Sequence, residues 1–417
     1  MEKGGNHRTI EGILLILLYP FLGIIYTFRQ IRLAEAEKWF WLICVYFGLA
    51  LIYFDYTSTV FVGEGKDAER YALEVISLHG SDIGFVDYLK DYNERKQDND
   101  YYAAILLYFV TRFSGNPQLF FGLAALIMGL FFAKTAWIII NRTQKSQYIF
   151  ILIMTMLLAS PIWKINGVRW WTALYVFLYG LLSFLFDKNP KKLIWCILAL
   201  LIHFTFLFAI YAVVAWLLLP KRKLTPYVVV FIVLNLMSSF DLSSWANWIA
   251  RLIPSFYNEE KIIGFMTYEY AASHNWFADS GRYVAIYTNF YLVLVSFFKG
   301  GDIIKKDELL RKFFILVLVV SSVCLFINFA PWGRRFLDLS NFLSFAWYCY
   351  AFSIPEFRER TKKLFAVAMP FLLYFVLFQI SKGLYSIGLY NLFFGNFITV
   401  FLYNDNIPVH FYLDKLF

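Results

Sequence analysis

Long apolar runs separated by short charged connections repeat along nearly the whole chain. Runs near Thr9 to Phe28, Trp39 to Tyr56, Pro117 to Ile140, Gln147 to Pro161, Val168 to Phe186, Leu193 to Leu219, Thr225 to Met237, Tyr283 to Phe298, Phe313 to Asn328, Phe336 to Phe352 and Leu364 to Ile380 can cross or enter a bilayer as helices. A last run, Leu384 to Leu402, is broken by Gly and Asn, and its crossing is left open. The pattern predicts an all-α integral membrane protein, one domain over 1–417, with roughly 11–13 transmembrane or re-entrant helices.

Composition agrees: 60% of residues are hydrophobic, 21% aromatic and only 16% charged. A soluble domain carries about a quarter charged residues, so no soluble class fits. The first run has no small-residue cleavage site behind it and reads as a retained helix. Cys44, Cys196, Cys324 and Cys349 all fall inside apolar runs without CxxC spacing, which makes them packing residues. The net charge of +9 resides in short clusters between spans, so it reports orientation and not nucleic-acid binding.

NRTQK (141–145), KNPKK (188–192), KRK (221–223), the stretch from Lys299 to Lys312 and that from Arg358 to Lys363 carry most of the basic charge and are expected in the cytoplasm. Thr57 to Asp100 holds ten acids against five bases and belongs outside. Only 28 residues (193–220) separate KNPKK from KRK, too few for two full spans of about 20 residues each. The expectation is a bent pair of short helices with His203 near the bend, a geometry tolerated where it lines a cavity. Three loops then share the outer face: 57–116, 160–166 and 238–282. In the third, Trp245, Trp248, Ile249, Leu252 and Ile253 form one apolar stripe of an interfacial helix, and Tyr101 to Phe113 behaves similarly in the first.

No Walker loop, HExxH, GxSxG or dinucleotide fingerprint occurs. What stands out is cationic. Arg169 opens a helix in NGVRWWTAL, and Arg334 with Arg335 opens another in APWGRRFLDL, all on the outer side and against the positive-inside bias. Guanidinium forks match phosphate oxygens, so such a cluster suits a pyrophosphate headgroup; the bland alternative is ion pairing with Asp338 or snorkelling. For His203 the alternative is a bond to a backbone carbonyl, and for His274, Asp279 and Arg282 it is a solvated loop. Asp98 and Asp100 form a DxD that two carboxylates would need to hold a hard cation, yet such motifs arise easily in an acidic loop.

In this setting the chain resembles the EpsG-like polysaccharide polymerases, which stand with the broader Wzy class of O-antigen and capsule polymerases. The resemblance rests on GKDAERY (Gly65, Asp67, Tyr71), DNDYYAAILLYF, the helix-opening Arg169, the histidine of LLIHFTFLF and RRFLDL, in that order. Trp170 stands where the family usually has Gln, and the doubled Arg334/Arg335 leaves two candidates for one family arginine. The resemblance implies a GT-C-like helical bundle. It also implies an enzyme that joins oligosaccharide repeat units carried on undecaprenyl pyrophosphate into O-antigen, capsule or exopolysaccharide, at the outer face of the bacterial plasma membrane and with no cofactor. The implied catalytic set is Arg169, Arg334, Arg335, His203 and Asp67, without a metal. Sugar and headgroup contacts are expected from Arg70, Tyr71, Tyr101, Trp163, Asn166, Trp276, Arg282 and Asp338. Expected partners are the lipid-linked oligosaccharides, the bilayer and a chain-length regulator. The rival readings are a metal-using lipid-linked glycosyltransferase at Asp98/Asp100, an O-antigen ligase, and a transporter of the same intermediates.

Overall fold

The computed structural model describes residues 3–53, 65–96, 101–238, 276–328, 331–403 and 405–413, and among these there is helix but no strand. The helices in order are α1 Lys3–Leu18, α2 Pro20–Arg29, α3 Ala36–Leu49, α4 Gly65–Leu78, α5 Phe85–Lys96, α6 Tyr102–Phe113, α7 Pro117–Ile140, α8 Gln147–Ala159, α9 Val168–Asp187, α10 Ile194–Ile202, α11 Leu207–Leu218 and α12 Thr225–Met237. After residue 275 follow α13 Trp276–Lys306, α14 Glu308–Ile327, α15 Phe336–Phe352, α16 Pro355–Gly383, α17 Leu389–Phe393, α18 Thr399–Leu402 and α19 Val409–Leu413. The protein is an all-α integral membrane protein.

Local chemistry sets the breaks. Pro117 stands at the first turn of α7 and the Asn116 side chain accepts from the Gln118 N–H, a preformed start. Lys188, at φ 55°, ends α9 in the left-handed conformation. Asp307 accepts from the Leu310 N–H at 2.8 Å, so one residue both ends α13 and caps α14. At Tyr19–Pro20 the expected first span, Thr9 to Phe28, is divided. Proline has no N–H to continue the helix, and α2 folds back until Gly23 lies against Ile16. Gly12 of α1 and Tyr26 of α2 both meet Trp39, so this run is a short hairpin and not one straight crossing.

The 28-residue irregularity is also a hairpin. From Gly180, which touches Trp195, α10 climbs antiparallel to α9 until Phe206 meets Trp170 at 5.3 Å between ring centroids. His203 sits at the reversal, and α11 descends along α14 until Trp216 donates to the Lys312 carbonyl at 3.1 Å. Both ends therefore return to the basic face, where Lys312 pairs with Glu308.

α7, α9, α14 and α15 form the centre. Phe132 of α7 stacks on Tyr175 of α9 at 4.1 Å, and most residues of α14 and nearly all of α15 are buried. Two polar pairs meet inside the bundle: Ser340 with Ser321 at 2.7 Å and Asn289 with Asn341 at 2.6 Å. The Leu384 to Leu402 run holds α17 and α18 and is followed by α19, each of four or five residues, far too short to cross about 30 Å of hydrocarbon. Tyr46 donates to the Asn391 carbonyl at 2.5 Å and the Asn391 N–H to Asp405 at 2.9 Å, which pins this segment to the end of α3.

Candidate functional site

On the face opposite the basic connections, α4 lies across the ends of the bundle against α6, α7 and the 162–167 turn. Its inner stripe, Ala68, Tyr71, Ala72 and Val75, is at most 2% exposed, and Tyr71 packs on Phe120 at 5.4 Å. That seating points Asp67 and Arg70 at the helix starts. Asp67 Oδ1 lies 3.1 Å from Arg70 and its Oδ2 lies 3.7 Å from Arg335, so one carboxylate bridges two guanidiniums from distant parts of the chain. Arg169, at the first turn of α9, acts electrostatically on Arg70 and on Tyr92 of α5; together with Arg335 it also acts on His203. Four of the five residues expected to carry chemistry, Asp67, Arg169, His203 and Arg335, thus share one neighbourhood. Arg334 is the neighbour of Arg335 at the same helix start, and both are exposed.

The charges are mutually tuned. Burial works against the Arg70 guanidinium, but Tyr71 and Asp67 outweigh both it and Arg169, and Arg70 holds its proton more firmly than an ordinary arginine. Burial raises the Tyr92 phenol, so it stays a neutral donor at physiological pH. His203 uses Nδ1 to cap the turn after the hairpin, facing the Thr205 N–H at 3.4 Å and the Thr205 hydroxyl at 3.0 Å. A backbone N–H can only donate, so Nδ1 accepts and the proton of a neutral imidazole belongs on Nε2.

Asp338, one turn into α15, pairs with Lys164 at 2.6 Å; the two side chains are 16% and 21% exposed. Lys164 also lies over the Trp171 ring at 4.6 Å. Sequence reasoning passed over Lys164, although its signal was the one that singled out Arg169: a cation between two apolar runs on the acidic face. Tyr92 carries no such signal, since nothing distinguishes it within an acid-rich, aromatic loop until α5 is placed.

The expected sugar contacts are spread out. Trp163 is held between Phe47, at 6.3 Å, and Gly383. Asn166 accepts from the Gly167 N–H at 2.7 Å, Tyr101 leads α6 with 39% of its surface exposed, and Arg282 on α13 lies over Tyr283 at 5.3 Å. Asp98, Asp100, His274 and the Trp245–Ile253 stripe lie outside the described residues, as do the side chains of Trp276 and Asp279. Among the described residues no three His, Cys, Asp or Glu side chains converge as a metal site.

No curated protein and no solved structure matches the chain. The sequence profile of the EpsG family matches residues 81–407, more than three quarters of the length. Arg169, His203 and Arg335 fall inside the match, whereas Asp67 and Arg70 precede it and join the cluster through the fold. The family is associated with polysaccharide polymerisation, and with the match spanning the bundle from α5 to the C-terminal helices, this chain belongs to the EpsG family.

Proposed function

We propose that the protein joins oligosaccharide repeat units carried on undecaprenyl pyrophosphate into a polysaccharide. The active site would face outward from the bacterial plasma membrane, and arginines would do the work of charge stabilisation. The observation that carries this reading is that Asp67 bridges Arg70 and Arg335, with Arg169 close enough to act on Arg70, on the face opposite the basic connections.

In the reaction the hydroxyl of one unit's terminal sugar attacks the anomeric carbon of another. The bond from that carbon to the diphosphate oxygen breaks, and its electron pair leaves on the diphosphate. Pyrophosphate is a good leaving group, so the enzyme has chiefly to hold its charge and align two sugars. Arg169 and Arg335 supply the charge, with Arg70 beside them. The Asp67 pairs are one-third to one-half exposed, and such pairs contribute no more than about 1 kcal/mol, so an incoming diphosphate can draw the guanidiniums away. Asp67 is then released to accept the hydroxyl proton. His203, protonated on Nε2, serves as a donor to a sugar or phosphate oxygen and not as the base.

The test is polymerisation of lipid-linked repeat units by purified protein in EDTA, read as a ladder on a carbohydrate gel. Wild type makes the ladder, and Arg169→Ala and Arg335→Ala abolish it. Product that needs added divalent metal and grows by one sugar would instead support a metal-using glycosyltransferase at Asp98/Asp100.

A further inference from the structure

The helices that carry Arg169 and Arg335 meet at their first turns through residues other than the arginines. Trp170 follows Arg169 and Phe336 follows Arg335, and their rings stand perpendicular with 5.5 Å between centroids. One turn beyond Arg335, Asp338 receives Lys164 at 2.6 Å from the 162–167 turn that leads into α9. Lys164 is also held from the α9 side, where its ammonium lies 4.6 Å over the Trp171 ring, and Tyr175 donates to the Ser160 carbonyl at the entry to the same turn. The two ties differ in kind. Rings in contact can slide with little loss, because apolar burial is non-directional. A charge-assisted hydrogen bond with both partners about four-fifths covered tolerates no such slip, since a shift leaves two desolvated charges apart.

We infer that Lys164 and Asp338 are positioning residues, which lock the start of α9 to the start of α15 and so set the spacing of Arg169 and Arg335. The catalytic consequence rests on the polymerase reading, whereas the locking itself rests on the ion pair alone. A buried pair gains little stability over an apolar contact of the same volume, because desolvating both charges offsets their attraction. What it adds is register between two elements that arrive from distant parts of the chain. Register matters here because two guanidiniums must meet one leaving diphosphate, and a displacement of about 1 Å in such a site can cost about a hundredfold in rate.

Two readouts on the purified full-length protein test the inference. All four native cysteines are buried, so nitroxides can be attached at Asn166→Cys and Arg334→Cys, where their dipolar coupling reports the spacing of the two helix starts. Lys164→Met/Asp338→Asn should spread that coupling from one distance over many, while Lys164→Arg, which keeps the charge, should retain the single distance. In the polymerisation assay without labels, the Met/Asn double variant should lower kcat per folded molecule about ten- to a hundredfold with KM unchanged, and Lys164→Arg should turn over like wild type. The inference is overturned if the double variant keeps a single label distance, or if its folded molecules polymerise at the wild-type rate. Wild type that makes no ladder while the labels respond as stated would count against the polymerase reading and leave the locking role in place.

Discussion

Replacing Lys164 by methionine removes a charged partner of a carboxylate that is only 16% exposed. An exposed ion pair contributes under about 1 kcal/mol, whereas stripping one partner from a fully buried pair costs about 3–5 kcal/mol through the charge left behind. Lys164 and Asp338 have roughly four-fifths of their side chains covered and sit at 2.6 Å, which places the expected loss at about 2–3 kcal/mol. Lys164→Met and Asp338→Asn should each approach that loss in reversible unfolding in mixed micelles. The double variant should recover most of it, with a coupling energy of about 2 kcal/mol between neighbouring sites. Recovery stays incomplete because the contact of Lys164 with the Trp171 ring, about 0.5–1 kcal/mol, is lost in either background. A Lys164→Met protein as stable as wild type, or a double variant whose loss is the sum of the singles, would refute the reasoning.

Three further outcomes follow from the same geometry. Arg335→Ala should cost about 10²–10³ in polymerisation rate, as removal of a charge-stabilising donor does, given its pairing with Asp67 at 3.7 Å; a variant that polymerises like wild type would contradict that role. Asp67→Asn should leave unfolding free energy within about 1 kcal/mol of wild type, given partners 40% and 48% exposed, while abolishing the ladder; a fully active Asn variant would remove Asp67 from the chemistry. Gly333→Ala drives a Cβ into the Ile327 carbonyl oxygen at the turn that presents Arg335, so a destabilisation of about 1–3 kcal/mol or more is expected, with wild-type unfolding as the contrary result.

Trp170 shows how local and tertiary information divide in this chain. In the sequence it is only a departure from a family's usual glutamine. In the fold its ring is 2% exposed and lies 4.5–5.5 Å from Trp171, Phe206 and Phe336, so it joins the His203 bend to the start of α15. Lys164 and Asp338 give a second example: 174 residues apart, they look like two isolated charges until α15 starts beside the 162–167 turn. The short hairpin over 193–220 could be read in advance, because residue count and flanking charge limit what a helix can span. The break at Tyr19–Pro20 was overlooked, since a run apolar on both sides of a proline has the same hydropathy whether straight or folded back.

Hydropathy and charge placement alone determined the membrane class, the positions of most of the long apolar helices, the His203 bend and the side of the bundle on which the arginines gather. Each of these follows from the cost of placing polar backbone or charge in hydrocarbon, a cost that local sequence sets. Only the tertiary structure decided that Asp67 bridges Arg70 and Arg335, that Lys164 answers Asp338, and that α4 leaves Leu73 and Ile76 exposed. Pairings between residues hundreds of positions apart depend on how helix ends are packed against one another, and no periodicity within a single segment records that packing.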